Sequence, residues 1–397
     1  MEKLKEKSDQ LQLNTNVKFE RYLSAQIDWT WRLNGILGAR GTGKTTMMLQ
    51  RLKREFGTSR LAIYISMDDM YFTGHSLTDF VELFRNKGGK YLFVDEVHKY
   101  KSWSTELKNI YDLYPDLHIV FSGSSIIDIL RESADLSRRA VVYHMNGLSF
   151  REYLSFIGSE NLKTYSIEDI VTNHTNIAAE IIQKINPLEF FSDYLMYGYY
   201  PYFIENKKVF FRRLEQTLNL IIEGDLNFIE GFDTKNIPKL KQLLYILSVN
   251  APFKPNIVNL SAKTSINRNT LVEYIHYLEK AQVINAAFPA GISTSMLQKP
   301  EKIFLNNTSL AFMLAEDKPD KGNLRETFFI SQLKASHNVK IPKSGDFEVD
   351  GKYLFEIGGK MKSGKQIKGN ENAYIVADDV LTGSYNKIPL WLFGFLY

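Results

Sequence analysis

Residues 38 to 46 read GARGTGKTT, and the spacing from Gly38 to Gly43, Lys44 and Thr45 suits a backbone cradle for an anion. A loop of this pattern, set after a buried strand and at the start of a helix, aims successive N–H groups at phosphate. Gly38, Gly41 and Gly43 supply backbone angles or close approach that a side chain would block. The positions Gly38, Ala39, Arg40, Gly41, Thr42, Gly43, Lys44, Thr45 and Thr46 are therefore expected to hold the phosphates of a nucleotide. Lys44 is then the point charge at the β and γ phosphates and the Thr45 hydroxyl a Mg2+ ligand, which makes ATP and Mg2+ the expected ligands.

Hydrolysis needs an acid near the metal and a base for water. The stretch KYLFVDEVHK supplies both: Tyr91 to Val94 form a short apolar run of strand type that ends in two carboxylates, where the strand would emerge beside the loop. Asp95 is expected in the Mg2+ shell and Glu96 as the residue that orients the attacking water. In HIVFSGSS, a strand ends in Ser122, Ser124 and Ser125. One of these hydroxyls, Ser124 among them, senses the γ-phosphate or caps the following helix IIDILRE. Arg138 and Arg139 sit close to the last strand of this region, where one of them can act as an arginine finger in the same or a neighbouring subunit, surface ion pairing being the plainer alternative.

These residues need a scaffold. The first 150 residues alternate strand-like runs (RLNGILG, RLAIYIS, YLFVDE, HIVFSGSS, RAVVYHMNG) with helical patterns, which predicts an α/β domain with a mostly parallel sheet and helices on both faces. Residues 151–236 read as a helical connector or lid. Its aromatic stretch EFFSDYLMYGYYPYFI suits packing among helices, with a stacking surface for bases as the alternative. Residues 237–320 read as three helices followed by the strand-like QVINAAF and EKIFLN, a winged-helix-like arrangement in which Asn267 caps the last helix. Leu271, Ile275 and Leu278 fall on one face of that helix, leaving Arg268, Asn269, Glu273 and His276 outward, a face that can enter a DNA major groove or dock a protein.

Composition bounds the rest. A chain of 397 residues with 44% hydrophobic content is long enough for two or three packed domains. It contains no cysteine, which excludes disulfides and thiolate chemistry and fits a cytoplasmic setting. The charged start MEKLKEKSDQ has no apolar signal core, and no apolar run approaches the roughly 20 residues of a membrane span. Even IPLWLFGFLY is too short and reads as a final buried strand. Net charge is only +4, so nucleic-acid contact would depend on local patches.

The last segment, 321–397, raises a second chemical question. GNLRETFFISQLKA reads as a helix and FEVDGKYLFEIGGKMKSGKQIK as two strands and a basic loop. Glu326, Asp350 and Glu356 would have to converge on one sheet edge to hold a second metal against a phosphodiester, with a lysine such as Lys360 at the developing charge. A hairpin with solvated charged ends is the alternative.

Taken in order, GARGTGKTT, YLFVDEVHK, FSGSS, SRRAVVYHMNGLSFREYL, TLVEYIHYLEKAQVI and FEVDGKYLFEIGGK resemble the prokaryotic AAA-like P-loop ATPases that carry a C-terminal domain of unknown function, and the resemblance covers nearly the whole chain. It implies an N-terminal ATPase related to the archaeal winged-helix ATPases, then a winged helix, then a small α/β fold like that of restriction endonucleases. Asp350 and Glu356 match the two acids of that nuclease pattern, but Gly358 stands where its lysine belongs, with Lys360 and Lys362 beyond. The functions that follow are an ATPase coupled to binding of or action on DNA or another nucleic acid, or an ATP-dependent switch in signalling or assembly whose C-terminal half binds protein. Oligomerisation is compatible with both, and no membrane partner is expected.

Overall fold

Six consecutive buried residues, Leu33–Gly38, form β1. They are buried throughout because parallel neighbours cover both edges of the strand and helices cover both faces, the environment that near-continuous apolar strands require. The computed structural model describes residues 1–126, 136–159, 162–229, 232–249, 254–255, 257–291, 299–315 and 318–397. Its contacts divide the chain into one unit of Met1–Asn146 with Asp225–Phe232 and a second of Gly147–Gly224 with Asp233–Tyr397. The helix expected over IIDILRE falls at 127–135, outside the described residues.

In the first unit β1 joins β2 (Ala62–Ser66), β3 (Tyr91–Asp95), β4 (His118–Ser124) and β5 (Val141–His144) in an all-parallel sheet of order β2-β3-β4-β1-β5. One face packs Leu33, Leu37, Ile65, Val94 and Phe121 under Phe80, Phe84, Trp103 and Leu107 of two helices, Leu77–Asn86 and Trp103–Leu113. The other packs Ile36, Phe93 and Val120 against Met47, Met48 and Leu52 of the helix Lys44–Glu55. The β2 edge is covered by the helix Glu2–Asn14, where Ser8 Oγ accepts the Tyr64 amide at 3.0 Å, so that edge offers less template for another strand.

Register puts the working ends level. Gly38 lies opposite Ser124 and Ser66 opposite Asp95, so the loop after β1, the acids after β3 and the serines of β4 emerge together at the carboxyl edge, where open α/β sheets bind ligands.

The second unit holds β6 (Ile284–Pro289), β7 (Lys302–Leu305), β8 (Val339–Ile341), β9 (Phe347–Val349), β10 (Tyr353–Gly358), β11 (Ala373–Ala377) and β12 (Lys387–Pro389) in one mixed sheet, order β12-β11-β10-β9-β8-β6-β7. The helices Ile237–Val249, Ile257–Thr264 and Arg268–Lys280 precede the antiparallel pair β6 and β7. β6 also pairs with β8 in parallel, so the strands read as a wing continue into the C-terminal sheet. Asn267 caps Arg268–Lys280 by accepting from the Asn269 amide, and Leu271, Ile275 and Leu278 are buried. In the aromatic stretch, Phe191, Tyr194, Tyr199, Tyr200 and Phe203 are all buried, which makes it packing and not a platform for bases.

The C-terminal apolar run departs from the strand expected of it. β12 stops at Pro389, and Leu390–Phe395 continues as a fully buried 3-10 turn. Proline supplies no N–H to a ladder, and a short run buried on all sides carries no period to distinguish strand from helix. This turn packs under Phe329, whose ring lies 4.8 Å from that of Phe393. Ser149 caps Phe150–Phe156 in a reciprocal box with Glu152, and its hydroxyl donates to Tyr397 O at 2.6 Å. Among the described residues, no helix is long and apolar enough to cross a membrane.

His174, in the helix Ile167–Ile182, is buried against Gly383, where an added Cβ would come within 2.5 Å of its ring. Burial lowers its pKa below the ordinary 6.5, with the Val171 and Ile170 backbone opposing. The unfolded chain therefore takes up a proton that the folded ring refuses, so stability falls as pH drops through about 6.5 toward the lower folded value. Urea melts at pH 8 and 5.5 should show this loss, and it should shrink in His174→Gln. An undiminished loss in the variant would place the titration elsewhere.

Candidate active site

The chain leaves β1 at Gly38, where a Cβ would lie 2.3 Å from the Met145 carbonyl oxygen. Gly41 and Gly43 take φ of 78° and 97°, the left-handed region in which side chains are strained. The loop is braced from behind. Thr42 Oγ1 donates to Ala39 O at 2.9 Å, and the Arg21 guanidinium donates to Thr42 O and, at 2.7 Å, to Asn146 O. The loop leads into the helix Lys44–Glu55, whose first turn adds a positive end. Lys44 is buried and its ammonium donates to Gly38 O at 2.8 Å and Ala39 O at 2.9 Å. Burial lowers its pKa, with Glu96 and Asp95 pulling the other way. Thr46 is exposed at the rim.

Asp95 is 2% exposed, yet every contact to its carboxylate comes from a neutral group. Thr45 Oγ1 donates to Oδ2 at 2.6 Å, Tyr64 OH donates to the same oxygen at 2.7 Å, and Ser122 Oγ donates to Oδ1. Burial, with Asp95 beside it, pushes the Tyr64 phenol far above its ordinary value. The acidic strand emerges beside the loop as expected, Asp95 meeting Thr45, although β4 lies between β3 and β1. The bridge is made by side chains, and β4 contributes Ser122 to it, so Ser122 is the serine bound to the acid pair.

Glu96 has φ 54° and ψ 41°, a left-handed conformation that costs a non-glycine residue ~1–3 kcal/mol. Its Oε2 is buried and, among the described residues, accepts no hydrogen bond. His98 Nε2 lies 3.3 Å from it and Arg40 Nη2 3.8 Å. The Ser124 amide donates to His98 Nδ1 at 3.3 Å, so a neutral ring carries its proton on Nε2, facing the carboxylates. Arg40 is held elsewhere: Nε and Nη2 donate to Asp225 Oδ2 and Oδ1 at 2.9 and 2.7 Å. Asp225 is fully buried, which would raise its pKa, but His98 and Arg40 hold it well below the usual carboxylate range.

Beside the loop, Lys7, Arg40, Thr45, Tyr64, Asp95 and Glu96 line a cleft of about 370 Å³. The residues present fit a nucleotide triphosphate with a divalent cation. They combine a glycine loop ahead of a helix, a lysine whose ammonium is held by the Gly38 and Ala39 carbonyls, adjacent oxygens of Thr45 and Asp95, and a buried carboxylate oxygen that accepts no hydrogen bond among the described residues. Spacing did not disclose Tyr64, His98 or Asp225. His98 lay within the quoted VDEVHK, whereas Asp225 is 185 residues from Arg40, and no local pattern links the two.

Other expected residues are placed differently. Arg139 donates through Nε and Nη2 to Asp112, both at 2.8 Å, and Arg138 is exposed. Glu326, Asp350 and Glu356 were expected to converge as a second metal site; among the described residues no group of three or more His, Cys, Asp or Glu is placed to hold a metal. Asp350 occupies a left-handed turn after β9, φ 56°, with His337 Nδ1 at 2.7 Å and the Asn338 amide at 2.9 Å. Glu356 pairs with Lys362 at 3.1 Å and Glu326 with Lys302 at 3.1 Å. Lys360 accepts the Lys387 ammonium at its carbonyl, so Lys362 is the lysine that meets Glu356. Burial raises the Glu326 pKa, Lys302 opposing.

A family described as an AAA domain matches residues 30–154, and one described as a domain of unknown function matches residues 188–321. An uncharacterized protein of Methanocaldococcus jannaschii is 29% identical over 287 residues, 68% of this chain and 59% of the relative, so the chain spans less than two thirds of that relative's length. Among solved structures the chain is similar to the Aeropyrum pernix Orc1 protein in complex with DNA, at 15% identity, 72% of this chain, 87% of that one and a TM-score of 0.31. It is also similar to AMPPCP-bound DnaA from Aquifex aeolicus, at 17% identity, 63% and 82% coverage and a TM-score of 0.26. Residues 30–154, which hold the phosphate loop and the acid pair, are thus similar to an AAA domain.

Tyr64→Phe should remove one of the three hydroxyl donors of the Asp95 carboxylate and lower stability by about 1.5–3 kcal/mol, the worth of a hydrogen bond to a charged group. Urea unfolding without nucleotide checks it, and an unchanged midpoint would mean that the phenol is dispensable to the acid.

Proposed function

We propose that this chain is a Mg2+-dependent ATPase that couples hydrolysis to binding of nucleic acid by its second unit. The observation that carries the reading is the gathering of Lys44, Thr45, Asp95 and Glu96 at one sheet edge, with Thr45 and Asp95 in contact at 2.6 Å. When bound, MgATP supplies the phosphoanhydride and the cation that neutralises its charge. The N–H groups of residues 39–46 and the Lys44 ammonium would bind phosphate, Thr45 and Asp95 would hold Mg2+, and Glu96 would orient a water and take its proton at Oε2. Such positioning and charge neutralisation are most of what phosphoryl transfer asks of a protein. Since Arg139 is committed to Asp112, Arg138 is the arginine left for a neighbouring copy in an oligomer.

Nucleic-acid binding rests on the exposed Arg268 and Asn269 of the winged-helix-like segment, where residues 251–300 hold five Lys or Arg against two Glu. The seven Lys against four acids over 340–370 add to it. Cleavage is not part of the reading, because Glu326 and Glu356 are each neutralised by a lysine. The same observation favours a second reading, an assembly or signalling switch with an inactive nuclease-like sheet that binds protein.

Lys44→Ala should lose nucleotide binding, whereas Glu96→Gln should keep it and hydrolyse about 100-fold or more slowly, the usual worth of a positioned base. Normal turnover in Glu96→Gln would assign the base elsewhere. To separate the two partner classes, ATP hydrolysis is measured with duplex DNA, single strands and RNA at two salt concentrations. Stimulation that fades with salt supports the first reading, since phosphate contacts release counterions. Turnover indifferent to every nucleic acid supports the second.

A further inference from the structure

We propose that Asp225 is a positioning residue for hydrolysis. Through Arg40 it keeps the Glu96 carboxylate free to act, so the active site of the first unit is completed by chain from beyond residue 146. The inference rests on the reading of Glu96 as the base. It goes further by naming what holds that base in its working state and which segment can withdraw it.

Glu96 Oε2 has two cationic or potentially cationic neighbours, Arg40 and His98, and both also face Asp225. An arginine between two carboxylates goes to the one it fits better. Asp225 takes it through two bonds of 2.9 and 2.7 Å, whereas Glu96 lies at a single 3.8 Å approach. Paired, bidentate guanidinium contacts outweigh one longer ion pair. Glu96 is the other carboxylate within reach of the guanidinium, so Arg40 released from Asp225 would close on it. A base locked in an ion pair holds its electron pair poorly disposed to a water proton. Asp225 therefore acts by restraint: it occupies Arg40, while His98 Nε2 stands between the two carboxylates, 3.3 Å from Glu96 and 3.7 Å from Asp225, and among the described residues Glu96 Oε2 accepts no hydrogen bond.

The segment that brings Asp225 is itself anchored in the first unit. Leu226 is fully buried, the Phe228 ring meets His98 edge-on at 5.8 Å, and the Lys99 ammonium lies 5.3 Å from the centre of that ring. On either side of Asp225–Phe232 the chain belongs to the second unit. Phe228 is 41% exposed, so the anchor is shallow. An event in the second unit that draws this segment out sends Arg40 to Glu96 and stops turnover while the phosphate loop stays intact. Asp225 lies outside the stretch matched to the AAA domain.

The test uses the full chain and two readouts, the affinity for a non-hydrolysable ATP analogue by calorimetry and the kcat for ATP, after a melting curve establishes folding. Asp225→Asn should lower kcat about tenfold or more while the analogue's affinity stays within about threefold, a split expected when a residue acts on the base and not on binding. Added to Glu96→Gln, it should change the residual rate less than about twofold, because residues that act as a unit are non-additive. Should Asp225→Asn fail to fold, Phe228→Ala carries the same test with a smaller fall in kcat at unchanged affinity. Full turnover in the folded variant overturns the proposal, and so does a parallel loss of affinity and kcat, which would make Asp225 a brace of the phosphate loop. A wild-type rate in Glu96→Gln removes the base and the proposal with it, whereas slow Glu96→Gln beside normal Asp225→Asn removes the proposal alone.

Discussion

A buried carboxylate has to be answered by the groups around it, and at Asp95 that requirement organises the first unit. Taking a carboxylate out of water costs several kcal/mol unless donors surround it. Besides the Glu96 amide, the donors at Asp95 are three hydroxyls from three places: Thr45 on the helix after the phosphate loop, Tyr64 on β2 and Ser122 on β4. For all three to reach one carboxylate, β2, β3 and β4 must end at the same level, and the loop after β1 must turn across β4 toward them. The register that pairs Ser66 with Asp95 and Gly38 with Ser124 meets this condition. The sheet edge is thus tied together by hydroxyls around one charge. Those hydroxyls leave the charge uncancelled and available to a cation.

Asp225 is held on the opposite principle. It is fully buried and answered by charge, in a bidentate bond from Arg40. Breaking such a pair leaves a buried ion uncompensated, which is why it marks a position strongly, although a buried ion pair adds little net stability of its own. Position is what this part of the site needs. Glu96 sits in a left-handed conformation at the end of β3, and conformations of that kind persist only where the surroundings over-determine them. Arg40 on one side and His98 on the other supply part of that surrounding, and both lead back to Asp225.

Much of this was legible in the sequence, for reasons that differ from place to place. The phosphate loop shows itself because its glycines, Lys44 and Thr45 must sit at fixed offsets on one continuous turn. Asp95 and Glu96 show themselves because a buried parallel strand is a near-continuous apolar run and the acids mark its end. Tyr64 and Asp225 were not legible, because each acts through a contact across 31 and 185 residues respectively, and a tyrosine in a strand or an aspartate after a helix is ordinary. The buried turn Leu390–Phe395 was missed because a run apolar at every position has no period to read.

The C-terminal acids show why residue types in a plausible order do not suffice. Asp350 and Glu356 bracket a hairpin, and a hairpin turn needs a residue that accepts a left-handed angle; aspartate does so more readily than most, and Asp350 is used there, with its side chain turned to His337 and the Asn338 amide. Glu356, on the buried strand β10, is answered by the Lys362 ammonium and the Gln366 amide. The contrast with Asp95 is chemical. A carboxylate ringed by hydroxyls keeps its full charge for an incoming ion, whereas one closed by an ammonium has already met its cation. A divalent ion would have to displace Lys362 before it could use Glu356, and Lys302 before it could use Glu326. Asp95 and the acids of the C-terminal sheet are therefore in opposite electrostatic states, the one met by hydroxyls and the others by ammonium groups.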